Sequence, residues 1–155
     1  MNIELIPMTD DMYLEYFKDY ENDPDLYMDK SKYERYVYDQ EKVLKYIQRQ
    51  KERMRVPLAI RVNNEIAGEI IIKDMKLGES AVMSIALKND NYKNRGIGTK
   101  AEKLAAQYVF CVMDIPLLLA DVLISNTRSI HVLEKAGFTF VREDGDFRYY
   151  QMVRR

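Results

Sequence analysis

Apolar positions along the chain alternate between two spacings, every second residue and every third or fourth, and the changes of period divide it into elements. "IELIP", residues 3–7, predicts a short strand. Thr9 or Asp10 can cap a helix carrying Met12, Tyr16, Phe17 and Tyr20, with Pro24 ending that element. Asp39 can cap a second helix, in which Val43, Leu44, Ile47 and Met54 recur at near-helical spacing. Between the two helices, "DLYMDKSKYERYVY" is polar, rich in tyrosine and without a clean period.

Strands follow. "PLAIRV" and "EIAGEIIIKDM" flank Asn63-Asn64, a pair that tolerates the left-handed conformations of a tight hairpin. Gly78-Glu79 turns the chain into "SAVMSIALK", a further strand. The spacing then predicts a helix of about 15 residues with Ile97, Ala101, Leu104, Ala105, Tyr108 and Val112 on one face. After Pro116, the unbroken run "LLLADVL" predicts a strand buried on both faces. Asn126 can cap another helix that Gly137 ends, and "FTFV" with "FRYYQMV" predicts a closing hairpin across residues 144–146. The element order predicts a mixed sheet with helices packed on it, α/β or α+β, in a single domain over residues 1–155.

Composition narrows the classes. Hydrophobic residues make up 47% and charged residues 32%, as in an ordinary globular protein. The net charge of −1 gives no reason to expect nucleic-acid or membrane binding. The N-terminus lacks the basic and apolar regions of a secretory signal, and no run reaches the roughly 18 apolar residues of a bilayer span. A cytoplasmic protein is expected. The one cysteine, Cys111, sits in an apolar helical run and reads as a buried, inert thiol. With one histidine as well, no metal site is expected.

Chemistry concentrates at "KNRGIGT", residues 93–99, between a strand and a helix. The first N–H groups of a helix lack internal partners, and Gly96 and Gly98 allow close approach of a ligand to the backbone. Lys93, Arg95 and Lys100 add positive charge, so the stretch suits a diphosphate. The spacing matches neither the nucleotide P-loop nor the dinucleotide fingerprint, where a glycine would replace Ala101. Read alone, it is equally a glycine-bearing turn with solvated cations. A second segment, "NTRSIHVLEKAGF" over 126–138, puts Asn126 and Ser129 at a helix start beside the end of a strand, where open sheets favour ligands.

Together, "SIALKNDNYKNRGIGTKAEKL" and "NTRSIHVLEKAGF" resemble the GNAT superfamily of acetyl-CoA-dependent N-acetyltransferases, nearest the branch acting on ribosomal-protein N-termini, spermidine and aminoglycosides. The element order agrees over nearly the whole chain. The resemblance implies a central, mostly antiparallel twisted sheet flanked by helices, and acetyl-CoA as co-substrate without a metal. It implies that Lys93, Asn94, Arg95, Gly96, Ile97, Gly98 and Thr99 hold the coenzyme A diphosphate through backbone amides. Ile85, Ala86 and Leu87 would pair with pantetheine and polarise the acetyl carbonyl, Asn126 would bind the cofactor arm, and Ser129 would lie near the sulfur.

Proton transfer is less defined. Many relatives place a tyrosine where this chain has Leu133, and often a glutamate where it has Met83. Ser129 and Tyr149, with Tyr150 behind them, are the candidate acids, and Glu69 or Glu79 the candidate base. His131 reads as a surface or packing residue. The tyrosines from Tyr27 to Tyr38, with Asp25, Asp29 and Glu34 among them, occupy the family's acceptor-binding segment and suit a cationic amine, from a small molecule or a peptide or protein. The expected reaction is direct attack by that amine on acetyl-CoA in a ternary complex; the alternative is a non-catalytic acyl-CoA-binding module. The resemblance also allows a homodimer.

Overall fold

The computed structural model describes residues 1–155. The elements are β1 (Ile3–Pro7), α1 (Asp10–Lys18), α2 (Gln40–Glu52), β2 (Val56–Val62), β3 (Glu65–Lys76) and β4 (Ser80–Leu87). They continue as α3 (Ile97–Gln107), β5 (Leu117–Leu123), α4 (Thr127–Ala136), β6 (Thr139–Asp144) and β7 (Phe147–Val153). The seven strands form one sheet in the order β1-β2-β3-β4-β5-β7-β6, with every neighbouring pair antiparallel except β4 and β5. This is the mixed, mostly antiparallel α/β domain that the sequence predicts.

Alternation along the strands sends side chains to two faces. Ile70 and Ile72 of β3, Met83 of β4 and Leu118 of β5 join Ile97, Ala101 and Ala105 of α3 in the main core, with Leu133 of α4. On the opposite face Ala59 meets Tyr13, Tyr16 and Phe17 of α1 and Val43 and Ile47 of α2. Asn63 and Asn64 both take positive φ, 49° and 72°, and close the β2–β3 hairpin as their chemistry allows. Gly68 of β3 is held tightly against β4, since a Cβ there would stand 2.6 Å from the Ala86 carbonyl oxygen.

Several local expectations are corrected. Thr9, not Asp10, caps α1. That helix stops at Lys18, short of Tyr20, and Pro24 opens a separate 3₁₀ turn over Pro24–Leu26. In α2, Leu44 is exposed, and Met54 lies beyond the helix at φ 55°. The buried stripe of α3 runs through Ile97, Ala101, Glu102, Ala105 and Ala106 to Val109, whereas Leu104 and Tyr108 are half-buried. After Gln107 the helix widens to a π-turn, with the Met113 N–H donating to the Tyr108 carbonyl at 3.1 Å. The added residue rotates the face, so Val112 and Cys111 are exposed instead of buried. β5 is not buried on both faces either: Leu117 and Leu119 are half-buried and Asp121 is exposed.

Candidate active site

The cradle lies where β4 hands the chain to α3. The Asn89 side chain accepts the Asn91 N–H at 3.0 Å and starts a tight turn over Asp90–Tyr92. Asn94 and Gly96 then adopt positive φ, 59° and 77°, bending the backbone into a concave loop. Thr9, Asp39 and Asn126 cap α1, α2 and α4 with their side chains, but Gly96 has none to offer α3. The first N–H groups of α3 are therefore left to a ligand, with the helix dipole behind them. A Cβ built on Gly96 meets nothing within 4 Å, so the space over the loop is open.

A groove of about 270 Å³ starts at this loop. Its walls include Ile85, Ala86 and Leu87 of β4, then Asn94, Gly96, Gly98 and Thr99 of the cradle, and Asn126 with Ser129 of α4. Those nine of the residues expected to bind cofactor thus share one surface. Ile97 is different: its side chain is fully buried in the core, leaving only its backbone for a ligand. Arg95 is exposed, and its guanidinium donates to the Asn91 carbonyl at 3.2 Å. Lys93 is committed to ion pairs with Asp23 at 3.0 Å and Asp90 at 2.7 Å. Burial works against its charge, but its hydrogen bonds to Asp90 and Asp23 outweigh that and raise its pKa. Asp23 also pairs with Arg128 of α4 at 3.1 Å. One carboxylate thus ties the segment after α1 to both sides of the groove.

The groove leads into the sheet. β4 and β5 pair only at Ala81↔Leu118 and Val82↔Leu119. Beyond those pairs the strands part, and a cavity of about 170 Å³ opens between Met83–Ile85 and Ala120–Leu123. Met83 and Leu133 line it, so two of its walls are apolar. Ile85, Asn126, Ser129 and Glu102 border both the groove and this cavity. The Asn126 side chain is occupied as a cap, accepting the Ser129 N–H at 3.1 Å.

Glu102 was not anticipated from the sequence. It is fully buried on α3, and neither carboxyl oxygen has a hydrogen-bond partner. Burial raises its pKa to about 8, against the opposing charge of Arg128. Asp121 was also missed; it borders the cavity between the strands and a second cavity on the opposite sheet face.

The residues expected to catalyse are dispersed. Ser129 borders the groove and the cavity. Glu69 lies on the α1/α2 face, where Tyr13 and Tyr46 each donate a hydroxyl to it at 2.7 Å. Its pKa is raised because burial outweighs those two hydrogen bonds. Tyr149 lines the second cavity with the Arg142 guanidinium 4.1 Å over its ring. Tyr150 is buried and donates to Glu134 at 3.1 Å, and Glu79 is exposed in the turn before β4. His131 is exposed at the groove rim. No three His, Cys, Asp or Glu side chains gather as a metal site, and no helix is long and apolar enough to cross a membrane.

Between α1, the tyrosine-rich segment and the ends of β3 and β4 lies a larger cavity of about 1040 Å³. Tyr16, Tyr20, Tyr33, Tyr36, Tyr38 and Tyr92 line it, with Glu15, Asp19, Glu21 and Glu65 against Lys18, Arg35 and Lys88. Tyr92 also lines the cofactor groove, so the two spaces adjoin.

The acetyltransferase (GNAT) domain family matches residues 2–139. The chain therefore belongs to the GNAT acetyltransferase family, and it is an acetyltransferase that takes its acyl group from acetyl-CoA. No curated protein matches the sequence. Among solved structures, the N-acetyltransferase PseH of Campylobacter jejuni in complex with acetyl coenzyme A superimposes with a TM-score of 0.72 at 18% identity, covering 99% of this chain and 100% of that one. A GNAT-family acetyltransferase of Bacillus anthracis gives 0.74 at 18% identity over 99% and 95%. The aminoglycoside acetyltransferase AAC(6')-Ib with coenzyme A gives 0.78 at 16% identity over the same shares. These likenesses establish the shared fold.

Proposed function

We propose that this acetyltransferase modifies a cationic primary amine, held in the tyrosine-lined cavity and attacking acetyl-CoA directly in a ternary complex. The observation that carries the reading is the cavity itself. Six tyrosines and four carboxylates surround about 1040 Å³ that adjoins the cofactor groove at Tyr92. Tyrosine faces attract cations, and the four carboxylates outnumber Lys18, Arg35 and Lys88 by one, so the lining favours a cationic guest. The volume admits a polyamine, an aminosugar or the end of a peptide.

The cofactor residues fit the donor. Uncapped N–H groups at Ile97, Gly98 and Thr99 suit a diphosphate, and the groove beside Ile85 to Leu87 suits the pantetheine arm. Direct transfer is favoured because no cysteine or serine at the groove is paired with a base that would make it a nucleophile. Solved structures of the same fold agree in class: AAC(6')-Ib in complex with ribostamycin and coenzyme A, and a spermidine N-acetyltransferase SpeG chimera from Vibrio cholerae and hSSAT.

Thiol release from acetyl-CoA, measured across polyamines, aminosugars and peptide N-termini, tests the proposal. Turnover is expected with at least one amine, and Tyr20→Ala with Tyr36→Ala should raise its KM at least about tenfold while leaving the KM for acetyl-CoA nearly unchanged. Turnover restricted to uncharged acceptors, or indifferent to both tyrosines, would refute the cavity as the acceptor site.

A further inference from the structure

Glu102 stands apart from the machinery described so far. It lies about one turn and a half into α3, fully buried, and shares the lining of the inter-strand cavity with Met83, Ile85 and Leu133. A carboxyl that is fully buried with both oxygens unpartnered is costly, and proteins rarely keep one without use. Its position supplies the use. Glu102 borders the groove that begins at the diphosphate cradle and also the cavity where β4 and β5 part. A thioester arm laid along the groove would bring its reactive end to that junction. Leu133 and Met83 offer no proton there, the Tyr150 hydroxyl is spent on Glu134, and the Ser129 hydroxyl at the same junction is a far weaker acid than a protonated carboxyl.

We propose that the Glu102 carboxyl donates a proton to the coenzyme A sulfur as the acetyl group leaves. The inference rests on the acetyl-transfer reading. The neutral amine attacks the thioester carbonyl carbon, the C–N bond forms and the C–S bond breaks. The proton of Glu102 passes to the departing sulfur, giving the free thiol, and the nitrogen loses one proton to solvent. The Glu102 carboxylate then regains a proton from solvent before the next turnover, so protons balance. A low-pH-protonated acid would be useless here at neutral pH. Burial keeps this one protonated until about pH 8, which matches it to the task. The charged groups around it are few: Arg128, His131 and Lys135 of α4 and Asp23 line the groove, and Asp121 of β5 lines the cavity. The neighbouring strands β3 and β4 turn apolar residues toward α3, and on β1 Ile3 and Leu5 face it, leaving Glu4 on the other side.

Two variants decide the matter. Glu102→Gln keeps size and hydrogen-bonding capacity but has no proton to give, and Glu102→Leu replaces the carboxyl with an apolar chain. Wild-type kcat should fall above about pH 8 as Glu102 ionises. Both variants should lose at least about 30-fold in kcat, keep the KM for acetyl-CoA within about threefold, and lose that alkaline limb. Difference infrared spectra of unliganded protein near pH 7 should contain a protonated carboxyl band that Glu102→Gln removes, a readout independent of turnover. Glu102→Gln with wild-type kcat, or with the alkaline limb intact, overturns proton donation and leaves a positioning role. Absence of the band overturns it too. A wild type that binds acetyl-CoA but turns over no amine defeats the acetyl-transfer reading, and this proposal with it.

Discussion

Gly96 combines two properties that separate binding from folding. Its φ of 77° lies in the left-handed region, where a side chain costs about 1 kcal/mol, yet nothing in the protein occupies the space its Cβ would fill. Gly96→Val should therefore lower stability by only about 1–2 kcal/mol. A side chain there would stand where the diphosphate must approach, so acetyl-CoA affinity should drop at least about tenfold, or about 1.4 kcal/mol, beyond any loss in folding. Titration calorimetry beside thermal denaturation separates the two; equal losses would make the glycine purely structural. At this scale the cradle was legible because glycine and the uncapped helix start are written directly in "RGIGT". Glu102 was not. A single charged residue in a helix reads as solvent-facing, and only the phase of α3 against the sheet reveals that it is buried. Asp121 was hidden for the opposite reason, inside a run whose apolar neighbours suggested complete burial.

At the scale of elements, caps and turns were the legible signals. Thr9, Asp39 and Asn126 each accept a backbone N–H at a helix start, and Gly137 ends α4 at φ 106°. The π-turn after Gln107 had no such signature, and it displaced Val112 and Cys111 from their expected burial. Contacts between distant segments were invisible as well. Asp23 reaches Lys93 and Arg128, and those two cations border the site where a diphosphate is expected. A carboxylate there competes with the anion it resembles. Asp23→Asn should lower the melting temperature by a few degrees, because two half-buried cations lose a partner. The same change should tighten acetyl-CoA binding severalfold at low salt, with the gain fading near 0.5 M salt as screening grows. Binding isotherms at two ionic strengths check this, and weaker binding at low salt would show that Asp23 shapes the groove instead of competing for it.

Over the whole molecule, the sequence pattern reached a mixed sheet with helices packed on it, whereas the strand order and the place of the one parallel pair, β4 with β5, emerge only from the structure. The parting of those strands is a long-range consequence that no local pattern carries, and it is what admits a ligand into the sheet. The same small domain holds two buried carboxyls, Glu69 on the α1/α2 face and Glu102 at the strand junction. Their effect on stability has an unusual sign. Each has a folded pKa above its unfolded value near 4.5, so between that value and the folded pKa the native state holds protons that the unfolded chain has released. Stability from these groups is complete below about pH 4.5 and falls as pH rises, for Glu102 until about pH 8. Carboxylates such as Asp90, whose pKa is lowered first by its hydrogen bond to Lys93, act in the opposite direction but only at lower pH. The melting temperature should therefore peak on the acid side of neutrality and decline by roughly 5–10 °C toward pH 8. Glu102→Leu should be the more stable protein at pH 8 and lose part of that advantage at pH 5, since it no longer has to bury a charge. A melting temperature that rises from pH 5 to pH 8, or a variant advantage that does not change with pH, would mean that Glu102 is already ionised in the folded protein.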